Sequence, residues 1–474
     1  MQLDWSALAT GQGLPPPGAR VAIEGIPFTA PGTPPGYALL LPEAGCCAAC
    51  PPDPAMTVEV LAVAGRPGTG PQRVSGGWRA LPPEDAAGWR WQLRDARWEG
   101  APDPATLPSL PTGPWLRRRT LLAAGPLLCA AASGCAATPD APPTAAVQAL
   151  LAEAAPMDLH SHAGRVILGR NGPRPTLPLA GPMRQGGMRL IALAMVADTP
   201  TTMVTPDHRI EAYRAPLPGE LHTHAQAAFA RLAGLVAEQG LAVVTDQAGL
   251  RAARRGGAGP AVIVASEGAD WLEGQEGRLE EAFEAHRLRH LQLVHYRVNE
   301  LGDIQTAAPV HDGLTEFGAA VVRRCNRLGV VVDVAHGTYW LTRRAAEVTT
   351  RPLVLSHTGL SGRPALRSRW ITPEHARLVA ATGGVIGVWP LTGPEAPTLG
   401  AYAASIARMV DAVGIEHVGI GSDMLGLLGT PAYGDYRETP ALAAALLAQG
   451  FAPAEAALLL GGNYARVLAA VLPG

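Results

Sequence analysis

Short apolar runs alternate with amphipathic stretches from about residue 156 to the end of the chain. The runs are rich in Val, Ile, Leu and Ala and indicate buried strands, whereas the stretches between them have helical periodicity. There are eight runs: PMDLHSH, MRLIALAMV, AVIVASEG, RHLQLVHY, GVVVDVAH, PLVLSH, GVIGVWP and HVGIGSD. Eight strands separated by helices predict an α/β fold in which a parallel sheet closes into a (β/α)8 TIM barrel.

Several of the predicted helices have clear ends. One covers residues 315–328, and another covers 373–381, with Thr372 as its N-cap and Pro373 at the first helical position. Two further helices, over 453–460 and 463–472, would close the barrel. Gly461 and Gly462 lie between them, and this pair predicts a break in the helix.

The beginning of the chain has a different pattern. Three strand-like runs, VAIEGIPF, YALLLPE and MTVEVLAVAG, are separated by turns rich in Pro and Gly. They predict a small, mostly β domain over 1–113, followed by a linking segment over 114–144 and the barrel over 145–474. The run from Tyr37 to Pro52 is weakly similar to a small bacterial β domain of uncharacterised function, and the pattern assigns no function to this part.

The linking segment resembles an export signal. Residues 117–136 run from three arginines into an apolar stretch and end on small residues. Arg118 and Arg119 resemble a twin-arginine motif, and Ala-Ser-Gly-Cys135 resembles a lipobox whose cysteine becomes acylated. The alternative is a transmembrane anchor or a buried helix, but the apolar run is shorter than the ~20 residues a spanning helix needs. We therefore expect an exported protein that is either periplasmic or anchored to the membrane through a lipidated Cys135.

The position of this signal within the chain has two explanations, a fusion of two genes or a translation start assigned too far upstream.

The composition of the chain argues against one class of partner. The 474 residues are 47% hydrophobic and 16% charged, with a net charge of −2, which favours a globular protein and gives no reason to expect nucleic acid as a partner. Among the six cysteines, Cys47 and Cys50 have CxxC spacing without a second pair, and Cys325 is expected in the core.

Polar residues stand at one end of the predicted strands. In a closed barrel the carboxyl ends of the strands converge on one mouth, where active sites of this fold lie. Each such residue alone would be an ordinary strand terminus. Together they predict a site: His160, His162, Glu267, His295, His336, His357 and Asp423.

The residue types in this set favour metal ions. His160 and His162 are two residues apart on one strand, so both imidazoles face the same side. Neutral imidazole suits zinc, and a carboxylate such as Glu267 can bridge two ions. His336 and His357 would complete the shell of a second ion, which predicts two Zn²⁺. Asp423 is placed to accept a proton from metal-bound water.

The ordered strand-end motifs resemble the membrane (renal) dipeptidase family of the metal-dependent amidohydrolases. The resemblance covers almost the whole barrel. It rests on Asp158-Leu-His160-Ser-His162, Ser266-Glu267-Gly268, Leu293-Val-His295, Asp333-Val-Ala-His336, Leu355-Ser-His357, Arg369-Trp-Ile-Thr, Gly421-Ser-Asp423 and Gly461-Gly-Asn463.

The resemblance implies a role for each motif residue. His160 and the second residue of its motif would bind one zinc, with Glu267 as the bridge to the zinc held by His336 and His357. His295 would polarise the scissile carbonyl, Arg369 would hold the substrate carboxylate, and Asp423 would handle protons. The family motif usually reads His-x-Asp, so His162 puts a neutral ligand where an anionic one is usual.

The expected activity is hydrolysis of dipeptides with a free C-terminal carboxylate by a metal-bound hydroxide, and the resemblance adds tolerance of a C-terminal D-residue. A homodimer is a further expectation. One alternative is another amidohydrolase activity on the same site, such as hydrolysis of N-acyl amino acids or lactones. The fourth strand lacks a lysine for a carbamylated bridge, which leaves that role to Glu267. The other alternative is a non-catalytic surface lipoprotein.

The remaining histidines are not expected to be ligands. His222 and His224 form a second HxH pair, but they follow Pro218-Gly219 at an apparent helix start. Five others are expected on helices or loops, at the surface or with satisfied polar atoms: His286, His290, His311, His375 and His417. Asp333 points away from His336 by strand alternation and is expected either to be structural or to support a metal ligand from outside the metal shell.

Overall fold

The computed structural model describes residues 2–10, 13–28, 37–42, 57–64, 71–80, 91–99, 143–169, 174–205, 209–256, 259–362, 367–392 and 397–474. The contacts form two compact units, Met1–Pro142 and Pro143–Gly474. The segment 117–136 with Cys135, and the pair Cys47 and Cys50, lie outside the described residues. None of the helices in the described part combines the length and apolar character of a membrane span.

The first unit is a small β barrel. It contains helix α1 (Trp5–Thr10) and strands β1 (Arg20–Phe28), β2 (Tyr37–Leu41), β3 (Val58–Ala64), β4 (Gln72–Ala80) and β5 (Trp91–Glu99). The strand order is β1-β2-β3-β5-β4, closed by β4 on β1. Among these described strands the β3–β5 pair is parallel and the other pairs are antiparallel.

The β domain is confirmed, but the sequence patterns identified only three of its strands. Strands β4 and β5 were missed because polar residues, including Arg73, Arg79 and Arg94, interrupt the apolar signal. The alternation of the sequence could have identified β4, since Val74 and Trp78 are buried and the residues on either side of them are exposed or half-buried. The Trp78 ring stacks on that of Trp91, with centroids 5.5 Å apart.

The second unit is the expected (β/α)8 barrel. Its strands are β6 (Met157–Ser161), β7 (Leu190–Val196), β8 (Thr202–Val204), β9 (Ile210–Ala212), β10 (Ala242–Val243), β11 (Ala261–Glu267), β12 (Leu288–Gln292), β13 (Val331–Asp333), β14 (Val354–Thr358), β15 (Val385–Val388) and β16 (Val418–Ile420). Strands β11 to β16, followed by β6 and β7, form a parallel sheet that the β7–β11 pair closes. All eight predicted runs are barrel strands. Strands β8 and β9 form a separate hairpin, and β10 pairs with the start of β11.

Helices connect the strands of this barrel. They are α2 (Ala145–Ala154), α3 (Ala180–Gly186), α4 (Glu220–Gln239), α5 (Gln247–Arg255), α6 (Gly277–Ala285), α7 (Glu316–Leu328), α8 (Tyr339–Val348), α9 (Pro373–Ala381), α10 (Leu399–Val413), α11 (Thr439–Ala448), α12 (Pro453–Ala457) and α13 (Asn463–Val471). The predicted cap is present: the Thr372 hydroxyl accepts a hydrogen bond from the His375 backbone N–H. Thr315 was predicted as the first residue of its helix and is instead its N-cap, since its hydroxyl accepts a hydrogen bond from the Gly318 backbone N–H.

The predicted break at Gly461 and Gly462 is wrong. A π-helical turn, Leu458–Gly462, joins α12 to α13 without interruption. A Cβ atom at position 461 would lie 2.7 Å from the carbonyl oxygen of Ala155 and 3.1 Å from that of Ala154. Glycine is needed here for the close approach of two backbones rather than for a turn.

A buried aspartate holds the seam between the first and last barrel strands. Over the described residues, β6 and β16 share one register pair, Asp158 with Ile420. The Asp158 carboxylate accepts hydrogen bonds from the Ser422 backbone N–H (2.9 Å), the Ser422 hydroxyl (2.5 Å) and the Tyr436 hydroxyl (2.8 Å). Burial raises the pKa of Asp158, although these hydrogen bonds oppose the shift. Because His160 lies near the end of β6 and Asp423 follows β16, this seam sets their spacing.

Candidate metal centre

Glu267 lies at the centre of a cluster built from the ends of six strands. It is the last residue of β11 and is buried, with 3% of its surface exposed. Five imidazoles direct Nε2 at its carboxylate: those of His160, His336 and His357 lie 3.3–3.4 Å from Oε1, and those of His162 and His295 lie 3.1 and 3.3 Å from Oε2. With Asp423, all seven predicted strand-end residues are brought together.

The two histidines of the first strand and Asp423 form one side of the cluster. The Nε2 atoms of His160 and His162 are 3.1 Å apart, and Asp423 Oδ1 lies 3.4 Å from the His162 nitrogen. His162 donates a hydrogen bond from Nδ1 to the Ala194 carbonyl oxygen at 2.8 Å. That bond fixes the ring so that Nε2 faces the cluster, as a metal ligand requires.

His336 and His357 form the opposite side. Their Nε2 atoms are 3.0 Å apart, and the Nδ1 atom of His357 lies 2.9 Å from the Ser356 hydroxyl. Burial holds the pKa of both imidazoles well below the usual range, and the guanidinium of Arg369 adds to this. Both rings are therefore neutral at physiological pH, which is the form that binds metal.

The protonation states of the carboxylate and the imidazoles also suit the binding of a cation. Burial would raise the pKa of Glu267, but the surrounding imidazoles hold it well below the usual range. Burial would lower the pKa of His162, yet Glu267 and Asp423 raise it to about 10, so a proton competes with metal for this nitrogen.

The donor atoms fit metal ions. They form three overlapping groups, each with its ligand atoms within 4.8 Å of one another: His160, His162 and Asp423; His160, Glu267 and His357; and Glu267, His295 and His336. Ring nitrogens facing each other at about 3 Å repel unless a proton or a cation lies between them. Neutral imidazoles with shared carboxylates are a donor set that divalent transition metals prefer.

Sequence reasoning missed the partner of His295. The Nδ1 atom of His295 lies 2.7 Å from Asp198 Oδ1, and the other Asp198 oxygen accepts the Tyr296 backbone N–H at 3.0 Å. Burial lowers the pKa of His295, but Asp198 and Glu267 raise it to about 9. Asp198 is fully buried and lies two residues after Val196, the end of β7. Its position as the first polar residue after the second strand was the signal that could have identified it.

Arg369 lies beside the cluster. One terminal nitrogen donates to the carbonyl oxygen of His357 at 3.0 Å, and the other donates to the Gln305 side chain at 2.8 Å. The guanidinium carbon is 5.5 Å from the centre of the Trp389 ring. Among the described residues, Arg369 Nε has no hydrogen-bond partner although it is buried. Gln305, on the loop between β12 and α7, had no strand-end signal and was not predicted.

The backbone is left-handed at two residues of the cluster, His336 (φ 66°) and Asp423 (φ 46°). Non-glycine residues adopt this conformation at a cost, which is characteristic of functional sites. Gly426 makes room beside Asp423, because a Cβ atom there would lie 2.1 Å from Asp423 Oδ1 and 2.6 Å from His162 Cδ2. The backbone conformation at these positions, together with the space left by Gly426, therefore places the side chains in the cluster.

The other histidines lie outside the cluster. His222 and His224 are on α4, as expected, and His224 lies 3.2 Å from the Val196 carbonyl oxygen. The expectation that His290 lies on a helix or loop is wrong. It is a buried residue of β12, with one ring nitrogen 2.8 Å from the Tyr464 hydroxyl and the other 3.1 Å from Asp333 Oδ2. Two buried partners make a polar residue acceptable inside a strand.

Asp333 and Cys325 are where they were expected. Asp333 Oδ1 accepts the backbone N–H groups of Ala335 and Ser356 at 2.9 and 3.0 Å, which is a structural role. Cys325 is buried within α7. Neither residue contributes to the cluster.

Comparison with known proteins identifies the family. The profile of membrane dipeptidase (peptidase family M19) matches residues 219–472. The dipeptidase verJ of Clonostachys rogersoniana is 29% identical over 197 residues, which cover 39% of this chain and 48% of the relative. The chain thus spans about half the length of the curated relatives it matches.

Two solved structures share the fold. A metallopeptidase from Rhodobacter sphaeroides, liganded with a phosphinate mimic of the dipeptide L-Ala-D-Ala, has a TM-score of 0.54 and 21% identity, over 67% of this chain and 99% of that one. The probable dipeptidase PvdM from Pseudomonas aeruginosa has a TM-score of 0.55 and 19% identity, over 69% and 98% of the two chains. The family profile matches just over half of the sequence, so the predicted resemblance is confirmed and the chain belongs to the membrane dipeptidase family, peptidase family M19.

Proposed function

We propose that this protein hydrolyses dipeptides that have a free C-terminal carboxylate, using two zinc ions held by the cluster around Glu267. The observation that carries the proposal is the convergence of five imidazoles on one buried carboxylate, with Asp423 and Arg369 beside them. His160 and His162 would hold one ion, His336 and His357 the other, and Glu267 would bridge them. Bound zinc would lower the pKa of a water molecule and polarise the peptide carbonyl.

Arg369 selects the carboxylate in this proposal. Its buried guanidinium lies against the backbone of His357, so a carboxylate bound to it would place the preceding peptide carbonyl next to the cluster. Guanidinium binds a carboxylate strongly because two parallel hydrogen bonds and opposite charges act together. Gln305 holds one side of Arg369 and fixes its plane.

His295 and Asp423 handle charge and protons. Because Asp198 accepts the proton on His295 Nδ1, Nε2 can present a second proton to the oxygen of the scissile carbonyl. Asp423 Oδ1 accepts no hydrogen bond from the residues that the structure describes, and it would accept a proton from the attacking water. The substrate amino group would lie near Asp423, which restricts the N-terminal side to one residue.

Two features of relatives support the substrate class. Curated relatives are named dipeptidases, and the Rhodobacter sphaeroides metallopeptidase holds a mimic of L-Ala-D-Ala. We extend the proposal to tolerance of a D-residue at the C-terminal position on that basis.

The test compares L-Ala-D-Ala and L-Ala-L-Ala with their C-terminal amides, using wild type, Arg369→Ala and the exposed control Arg377→Ala. Free acids should be cleaved by the zinc-loaded protein and not after chelation. Arg369→Ala should lower kcat/KM for the acids by about 10–150-fold, the equivalent of one charge-assisted interaction of ~1.5–3 kcal/mol, while Arg377→Ala behaves as wild type. Equal rates for acids and amides would refute the role of Arg369 and favour hydrolysis of N-acyl amino acids or lactones.

A further inference from the structure

The two strands that carry His336 and His357 are joined by little sheet pairing. Over the described residues, β13 and β14 share one register pair, Asp333 with Val354. Each of the two histidines follows its member of this pair by three residues, beyond the paired part of the strands. A single register pair does little to fix the distance between two side chains that lie past it.

One oxygen of Asp333 joins the two strands directly below the histidines. Asp333 Oδ1 accepts the backbone N–H of Ala335 at 2.9 Å and that of Ser356 at 3.0 Å. Each of these two residues comes immediately before a histidine of the cluster. The carboxylate is fully buried, so water does not compete for these hydrogen bonds. One side chain therefore holds both chain segments in place.

The opposite side of the cluster repeats this arrangement. Asp158 Oδ1 accepts the backbone N–H of His160 at 3.2 Å and that of Ser422 at 2.9 Å. Asp158 also belongs to the single register pair of its two strands, and Ser422 immediately precedes Asp423. The same contacts at two places in one barrel indicate that these carboxylates belong to the construction of the site.

A chain of hydrogen bonds fixes the second oxygen of Asp333. Asp333 Oδ2 lies 3.1 Å from His290 Nε2, and His290 Nδ1 lies 2.8 Å from the Tyr464 hydroxyl. All three side chains are buried. Tyr464 is the second residue of α13, the last helix, and directly follows the Gly461-Gly-Asn463 motif, for which the metal site provides no role.

We propose that Asp333 is a positioning residue that sets the separation of the imidazoles of His336 and His357. Tyr464 fixes the Asp333 carboxylate through His290, so the last helix takes part in setting this separation. The inference rests on the metal site of the proposed function, and it gives Asp333 no contact with metal or substrate. The separation, 3.0 Å between the two Nε2 atoms, decides whether both nitrogens can reach one ion.

The experiment measures zinc affinity by titration with a chelator, cobalt absorption and unfolding in urea. It uses six forms of the full chain: wild type, Asp333→Val, Asp333→Asn, Tyr464→Phe, the double variant Asp333→Val with Tyr464→Phe, and Tyr402→Phe. Tyr402 is the matched control, because it is a fully buried tyrosine whose hydroxyl donates to the Val388 carbonyl oxygen at 2.6 Å. Its replacement removes a buried hydrogen bond without changing the contacts of Asp333.

Wild type and Tyr402→Phe should bind two zinc ions per chain with the same affinities. Asp333→Val removes the acceptor and should bind one of the ions ~10–100-fold more weakly, since loss of an outer partner of a ligand costs that much. Its cobalt spectrum should change as well. Asp333→Asn should keep both ions, because an amide oxygen can accept both backbone N–H groups. The amide nitrogen can donate to His290, whose neutral ring can hold its proton on either nitrogen.

Tyr464→Phe should weaken the same ion by less than Asp333→Val does, because the carboxylate remains but loses its fixed orientation. The double variant should bind zinc no more weakly than Asp333→Val, since both changes act through one carboxylate. Tyr464→Phe and Tyr402→Phe should lose similar stability in urea, so zinc affinity separates positioning from a purely structural role. If Asp333→Val does not fold, Tyr464→Phe, which removes one oxygen atom, decides by itself.

Two results would overturn the inference. One is a Tyr464→Phe variant with the zinc affinities and cobalt spectrum of Tyr402→Phe, and the other is a loss of zinc in Asp333→Asn as large as that in Asp333→Val. Failure of the proposed function has a different signature. If wild type binds two zinc ions but cleaves no dipeptide, the substrate proposal is wrong, while the zinc affinities still decide the role of Asp333.

Discussion

Replacement of Asp198 by asparagine should slow dipeptide hydrolysis without removing metal. The two carboxylate oxygens have separate tasks: one receives the proton of His295 Nδ1 at 2.7 Å, and the other receives the Tyr296 backbone N–H at 3.0 Å. An asparagine has one oxygen and one NH2 group, so it can accept only one of these hydrogen bonds. Either His295 or Tyr296 then faces a second donor inside a fully buried site.

The size of the effect follows from the interaction that is lost. A hydrogen bond to a buried charged group contributes about 1.5–3 kcal/mol, which corresponds to a decrease in kcat/KM of roughly 10–150-fold. The pH dependence should change as well. His295 acts while both ring nitrogens carry protons, so activity falls as pH rises through its pKa. Asp198 raises that pKa, and its removal should move the alkaline limb of the rate profile to lower pH.

The assay is kcat/KM for L-Ala-D-Ala between pH 6 and 10, together with zinc content. Asp303→Asn is the matched control, because Asp303 is equally buried but its carboxylate accepts, within the described residues, backbone N–H groups of the loop from Val310 to Gly313 and no histidine proton. It should lower stability and leave the alkaline limb in place. A wild-type pH profile in Asp198→Asn, or a rate loss explained entirely by lost zinc, would refute the reasoning.

Three other changes test separate parts of the molecule. Glu267→Gln should lose zinc and most dipeptide hydrolysis, as elemental analysis and turnover would show; a fully active variant free of zinc would contradict the bridging role. Tyr436→Phe removes a hydroxyl that contacts Asp158 and Ser161, and should lower the free energy of unfolding in urea by about 1–3 kcal/mol; a change below about 0.5 kcal/mol would show that the seam does not depend on it. Cys135→Ala should release the protein from membranes of its native host if the cysteine is acylated, and an unmodified chain that remains in the cytoplasm would contradict export.

The barrel and the residues of its polar cluster could both be predicted from the sequence, and the reason is physical. Parallel strands buried on both faces are continuous apolar runs, so a polar residue at the end of such a run stands out. Because all carboxyl ends meet at one mouth, residues as far apart in sequence as His160 and Asp423 could be expected to lie together. No comparable rule indicates how their side chains share protons or ions.

The features that the sequence did not predict either lie beyond the ends of the strands or depend on close packing. Asp198 follows β7 after a short extension, and Gln305 reaches Arg369 from a loop whose path has no periodic pattern. His290 has the polarity of a surface residue and is buried because Tyr464 and Asp333 bind both of its nitrogens. Gly461 stands in a glycine pair that is typical of a helix break, yet glycine is needed there because the backbone of Ala155, distant in sequence, lies close to it.

The left-handed conformations of His336 and Asp423 set activity against conformational stability. A left-handed residue with a side chain costs about 1–2 kcal/mol relative to glycine, although aspartate tolerates this region better than most residues. Glycine at either position would relieve that cost locally and remove a member of the cluster. Selection for thermal stability alone would therefore favour inactive variants at these two positions, so a search for stabilised forms should hold both residues constant and seek its gains elsewhere.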